Sequence, residues 1–265
     1  MSVPLLRRIN VPALAVALAI LLVWQLSVES GLIDFEYLPS PTEVWQGFLE
    51  ILARGQLVPA ISHTLGVTAA SAAVAIVIGV VLGAAVGLFR GFRTYTMASF
   101  NVLRTLPIVA LMPVALMIWG PTGEAEFYIA TFSSIWPVLL STASGVRNVH
   151  PRLTEVARSL RFSRPDFYGK ILLPASLPSI LVGARLAVVH ALVVVVVAEV
   201  IVNPAGLGGA LLHAQSALQP GQVWAWVIIS GIIGYLLNVA LVAMVRYGVP
   251  GGNLSTGALR KAGRS

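Results

Sequence analysis

The chain is 265 residues long, 57% hydrophobic and 10% charged, with a mean hydropathy of +0.89. A soluble domain carries about a quarter charged residues, so composition excludes a water-soluble globule, an intrinsically disordered chain and a collagen-like repeat. The lack of cysteine removes disulfide staples, thiolate metal sites and thiol catalysis, and the formal charge of +7 does not point to nucleic acid, because the basic residues fall in small groups between long uncharged stretches, as in a polytopic membrane protein.

A helix needs ~20 mostly apolar residues to cross the hydrocarbon core. Stretches free of Asp, Glu, Lys and Arg run over 9–28, 55–89, 105–123, 127–146 and 200–245, and 171–198 is interrupted only by Arg185. They predict an all-α fold with six transmembrane helices, near 11–28, 64–89, 101–119, 127–146, 176–202 and 223–246. The first run follows Arg7 and Arg8, but no small-x-small cleavage site follows Val28, so it reads as a span and not as a signal peptide. After it, Ser40-Pro41-Thr42-Glu43 starts a helix, and Val44, Phe48, Ile51 and Leu52 share one face, which predicts a short helix lying on the outer membrane surface. In the second span Gly79, Gly83 and Gly87 form a stripe suited to close packing against another helix of the same chain. With the N-terminus inside, sixteen of the seventeen basic residues lie at or near the cytoplasm, Arg54 being the exception. Both termini are then cytoplasmic: 1–10 is a short leading segment, 11–250 the transmembrane domain, and 251–265 a disordered tail.

The fourth and fifth spans are joined by a long cytoplasmic loop, 147–175. Leu153, Val156, Ala157 and Leu160 follow the i, i+3, i+4, i+7 spacing of an amphipathic helix, with Arg152, Arg158 and Arg161 away from its apolar face. Ser163 precedes Asp166 by three residues, a capping-box pattern that opens a second helix with Pro165 in its first turn. Pro174 and Pro178 mark the return to the membrane. The product is a helix–turn–helix whose apolar stripe needs a partner.

Charges inside a membrane are costly, so each is a functional candidate. Arg185, about two turns into the fifth span, either draws an anion along the path or snorkels to the headgroups. Arg104 stands near the inner end of the third span as an anchor or path residue, and Glu199 near the outer end of the fifth as a cap, an ion-pair partner or a gate. Met112, Met117 and Trp119 are pore or core residues. Arg104, Met112, Arg185 and Glu199 make up the candidate translocation path. His190 reads as an interior histidine, and Trp24, Trp45, Trp136, Trp224 and Trp226 as interfacial anchors. Enzymatic readings fare badly: there is no P-loop, no H-E-x-x-H and no acid–histidine cluster in the sequence. Ser144 and His190 lack the glycine-flanked turn of a serine nucleophile.

Glu155-Val156-Ala157, then Ile171-Leu172-Leu173-Pro174, Pro178 and Gly183, resemble the EAA signature of importer-type ABC permeases. Leu38-Pro39-Ser40-Pro41, Leu103-Arg104 with Leu106-Pro107, Pro113, Trp119-Gly120, Gly145-Val146-Arg147, Ala198-Glu199 and Gly206-Leu207-Gly208 look like the nitrate/sulfonate/taurine branch of that family. The resemblance covers roughly residues 35–247. It implies that the loop holds a coupling helix that docks on an ATP-binding subunit through Leu153, Glu155, Val156, Ala157, Leu160, Arg161, Pro165, Phe167, Leu173 and Pro174. It further implies a homodimer in the bacterial inner membrane, two copies of an ABC ATPase beneath it, an extracytoplasmic solute-binding protein, and a small anion as cargo. ATP and Mg would sit on the partner, with no cofactor in this chain. Two positions depart from the pattern: Val156 replaces the middle alanine, and Arg161 stands where a glycine makes the tight turn, so that either the turn is reshaped or Arg161 touches the partner. The competing reading is a stand-alone secondary transporter or channel, whose usual broken helices, inverted repeats and embedded acids are not evident in the sequence.

Overall fold

The computed structural model of the protein describes residues 11–33 and 35–248; the expected leading segment 1–10 and tail 251–265 lie outside them. Among the described residues the chain is helical throughout, in the order α1 (Val11–Glu29), α2 (Pro41–Ala53), α3 (Leu57–Leu88), α4 (Arg90–Arg104), α5 (Ile108–Trp119), α6 (Gly123–Arg147), α7 (Pro151–Ser159), α8 (Arg164–Phe167), a π turn (Tyr168–Leu172), α9 (Leu173–Ile201), α10 (Gly206–Ser216) and α11 (Pro220–Gly248). Five stretches are long and apolar enough to cross a membrane, and six if the bent pair α4–α5 counts as one.

Helix α6 is the axis of the bundle, with 61% of its apolar window buried inside the chain, against 6% for α11 and none for α1. Helices α3 and α9 pack along it. The glycine stripe explains how α3 comes so close: a Cβ at Gly79 would stand 2.6 Å from Val138 Cβ, and one at Gly83 2.6 Å from the Leu139 carbonyl oxygen, both on α6. Backbone approach of this kind replaces the hydrophobic driving force that lipid cannot supply, and the stripe is intramolecular as its sequence implied. A cluster of Met112, Ala115, Ile129, Val194, Val195 and Ala198 fills the junction of α5, α6 and α9.

The third span differs from expectation. It is not one helix over 101–119 but two helices that meet at 86° around residues 105–107. Pro107 has no N–H to donate and disfavours the helical region for Leu106, and Thr105 closes α4 by donating its backbone N–H and its hydroxyl to the Val102 carbonyl, at 3.1 and 2.8 Å. Charge counting missed this because Arg104 ends α4 and the uncharged run begins just after it. Helix α4 has no buried residue.

Helix α2 starts as predicted, with a reciprocal cap in which Glu43 N–H donates to Ser40 Oγ at 3.3 Å and Ser40 N–H to Glu43 Oε2 at 2.7 Å. Its apolar face is not spent on lipid. Val44 and Ile51 are buried in a second cluster with Leu207, Ala225, Trp226 and Ile229 from α10 and α11, while Leu52 stays exposed. Trp226 is thereby a core residue and not an interfacial anchor, whereas Trp45 is exposed.

Candidate functional site

The loop between α6 and α9 is a helical hairpin. Helix α7 ends in a Schellman arrangement: the Phe162 N–H donates to the Ala157 carbonyl at 3.0 Å, and the residue before it, Arg161, takes the left-handed conformation with φ +52°. The turn therefore keeps the geometry a glycine would supply, at a cost of about 1–2 kcal/mol for a residue with a Cβ, and the arginine side chain is left exposed. The second helix opens on the predicted box, where the Asp166 N–H donates to Ser163 Oγ at 3.3 Å and the Ser163 hydroxyl donates back to the Asp166 carboxylate. Lys170 holds the other oxygen of Asp166 at 2.7 Å. Through the π turn this helix runs on into α9, so Pro174 and Pro178 do not interrupt it.

The stripe predicted on α7 divides. Leu153 and Leu160 face outward, 41% and 65% exposed, but Ala157 is 3% exposed and lies within the chain, under the turn that its carbonyl closes. It shapes the hairpin and offers no docking surface. The Val156 side chain lies outside the described part of the structure. Glu155, Arg161, Pro165, Leu173 and Pro174 are exposed and Phe167 is half-buried. Two aromatic residues escaped the sequence reading, Phe162 and Tyr168, both exposed; their place on either side of the capping box was the available signal.

The four path candidates part company. Met112 is completely buried in the α5–α6–α9 core, so it packs and does not line a path. Arg185 Nε and Nη2 donate to Asn238 Oδ1 at 3.2 and 2.9 Å, tying α9 to α11 in place of snorkelling. Arg104 lies at the α4–α5 break, in a hollow of about 600 Å³ that it shares with Thr105, Ser133, Trp136 and His190. His190 is exposed there and not an interior histidine. Ser144 accepts a hydrogen bond from Asn148 at 3.1 Å and faces a different hollow, so the two do not pair.

Glu199 is fully buried and is not a path-lining gate. Its Oε1 accepts from the Thr64 hydroxyl at 2.6 Å and its Oε2 from the Gly208 N–H at 2.9 Å, while Thr64 Oγ1 itself accepts the Leu207 N–H at 2.9 Å. This explains the Gly206-Leu207-Gly208 motif. Gly206 has φ +67°, and a Cβ on it would fall 2.0 Å from Glu199 Oε1, so the turn into α10 can wrap the carboxyl only without side chains. Beside it, buried Glu126 bonds His63 Nε2 at 3.2 Å and accepts from the Asn203 amide. The sequence showed no acid–histidine cluster, but the fold makes one: ligand atoms of His63, Glu126 and Glu199, from three helices, lie within 4.8 Å of one another. Spacings of 63 and 73 residues hide such a set from motif reading. All four carboxyl oxygens already have protein hydrogen-bond partners, and the arrangement works as a polar clasp that closes the ends of α3, α6 and α9.

A family model described as the inner membrane component of binding-protein-dependent transport systems matches residues 75–251. The chain is 32% identical over 223 residues to SsuC of Bacillus subtilis, named as an aliphatic sulfonates transport permease, covering 83% of this chain and 79% of that one. It is 32% identical over 170 residues to the nitrate import permease NrtB of Leptolyngbya laminosa, covering 64% and 59%, and 31% identical over 166 residues to the bicarbonate transport permease CmpB of Synechococcus elongatus, covering 62% and 60%. In structure it is similar to a chain of the inward-facing MetNI methionine ABC transporter, with a TM-score of 0.64 at 20% identity over 73% of this chain and 96% of that one, which shows a shared fold. The broken helix and the buried acids, traits of stand-alone transporters, are therefore set here in another architecture: the chain belongs to the binding-protein-dependent transport family and is a multi-pass transmembrane permease of the ABC-importer type.

Proposed function

We propose that this chain lines the membrane path for a small anion and converts the work of a separate ATPase into alternating access. Two copies face each other across the path, two ATPase subunits dock beneath them with ATP and Mg, and an external solute-binding protein delivers the cargo. This chain contributes no cofactor. The anion class rests on relatives named for sulfonates, nitrate and bicarbonate; the cytoplasmic termini rest on the sidedness of the basic residues; and the second copy accords with α4, none of whose residues is fully buried within its own chain, and with Met117 and Ile118 of α5, 88% and 63% exposed.

The observation that carries the reading is the hairpin: an outward apolar face built of Leu153 and Leu160, on a turn fixed by a backbone hydrogen bond, in a loop otherwise rich in charge. Apolar surface presented on such a loop marks a docking site. Leu160→Asp is therefore expected to insert and fold normally yet to lose the ATPase on co-purification in mild detergent, together with ATP-dependent uptake. Ala157→Asp acts differently, because it places a charge inside the hairpin and damages the loop itself. A Leu160→Asp permease that keeps full ATPase association and uptake removes the docking assignment.

A further inference from the structure

We infer that Arg161, at the tip of the hairpin, grips a carboxylate on the rim of the ATPase groove, so that the partner surface is an apolar pocket bounded by acid. The inference rests on the reading of the hairpin as the ATPase-docking element and adds to it the chemistry of the surface that receives it.

The first observation is the backbone. Arg161 stands at φ +52°, and among the described residues Leu218 is the other non-glycine with a positive φ. Glycine holds this conformation without steric cost, and asparagine holds it more cheaply than arginine. Strained backbone persists where the position of a side chain matters. Nothing inside the chain uses this one. The Arg161 side chain is exposed, and among the described residues it makes no hydrogen bond to the carbonyls that end α7 and no ion pair with a carboxylate. The guanidinium therefore neither caps its own helix nor pairs at home, and its five N–H donors are left to water.

The second observation is charge. Between residues 147 and 170 six basic residues stand against two acids, Glu155 and Asp166, an excess of four. Asp166 is already held by Lys170 at 2.7 Å. A surface with that excess favours an acidic partner face and is repelled by a basic one.

The third is the setting. Leu160 and Phe162, on either side of Arg161, are 65% and 37% exposed. When both sink into an apolar pocket they exclude water around the guanidinium, and a charge pair shielded in this way is stronger than one in bulk water. Arginine meets a carboxylate through two parallel N–H···O bonds. A geometry so demanding is a reason to fix the Cα in an otherwise unfavourable conformation. Phosphate headgroups of the inner leaflet are the competing anions. They are mobile and reach any arginine near the surface, so they give the chain no reason to place one at a left-handed position.

The test uses the full permease–ATPase complex in nanodiscs, made once with zwitterionic lipid alone and once with added anionic lipid. ATPase retention is measured on dilution at low and at high salt. In both lipids Arg161→Gly should weaken ATPase binding tenfold or more at low salt and remove most of its salt dependence. Glycine suits the turn better than arginine, so a damaged turn cannot explain such a loss. Arg161→Lys should bind several-fold less tightly than wild type. Treated with a water-soluble carbodiimide, it should form an amide joining position 161 to an aspartate or glutamate of the ATPase, located by mass spectrometry. Leu218→Gly, which relieves the same backbone conformation between α10 and α11, should leave ATPase binding unchanged. Wild-type binding in Arg161→Gly overturns the inference, and so does the absence of any coupling from position 161 to an acid of the ATPase. A loss confined to the nanodiscs with anionic lipid assigns the arginine to headgroups and overturns it too. If Arg161→Gly keeps the ATPase and Leu160→Asp loses it, the docking reading stands without the acidic rim. If Leu160→Asp also keeps it, both fall.

Discussion

Thr64 and Thr68 lie one turn apart on α3, are buried to the same degree, and differ in what their hydroxyls do. Thr64 is completely buried and Thr68 is 1% exposed. The Thr64 hydroxyl donates to Glu199 Oε1 at 2.6 Å and accepts from the Leu207 N–H at 2.9 Å, whereas the Thr68 hydroxyl has no partner. Thr64→Val keeps the shape of the side chain but leaves a carboxyl oxygen and a backbone N–H unpaired in a site where Glu199 and Leu207 are both completely buried. Each orphan costs about 1–3 kcal/mol, for a total of about 2–6 kcal/mol, and at about 2–4 °C per kcal/mol for a chain of this size the apparent Tm of the purified permease should fall by about 4 °C or more. Thr68→Val removes a hydroxyl that was already unpaired and should leave the apparent Tm unchanged or slightly higher. The assay is thermal denaturation of both variants in one mild detergent at one heating rate. Equal losses in the two variants, or none in Thr64→Val, would refute the clasp as the element that holds α3 to α9 and α10.

Gly206→Ala should be more damaging than Thr64→Val, because it forces a Cβ into a left-handed residue and to within 2.0 Å of Glu199 Oε1; wild-type thermal stability in that variant would show that the turn does not depend on wrapping the carboxyl. The natural chain contains no cysteine, so single cysteines report sidedness cleanly. Ser163→Cys should be shielded from an impermeant thiol reagent in intact cells and Gln56→Cys labelled, and labelling of position 163 from outside would invert or break the proposed topology.

The sequence by itself determined what depends on local pattern and on partition between water and lipid. Spans, caps and the glycine stripe follow from composition and from spacings of three, four and seven residues, and the structure places the Ser40 and Ser163 caps and the Gly79–Gly83 packing where those spacings put them. Whether Arg161 would reshape the turn was open in the sequence, because a left-handed backbone is permitted, at a cost, to a residue with a Cβ; the structure keeps the turn. The rest was decided by tertiary structure alone. Leu106-Pro107 signals a break without giving its angle, and the 86° bend is what carries Arg104 to Ser133 and Trp136. Met112, equally plausible from sequence in a pore or a core, goes to the core because α5 turns that face toward α6 and α9. Glu199 and Glu126 are costly alone in a membrane, and their tolerance depends on hydrogen-bond partners that stand far away along the chain: Thr64 is 135 residues from Glu199, and His63 is 63 from Glu126. No local pattern encodes those partners, because burial of a charge is made acceptable only by the hydrogen bonds that meet it in the folded state.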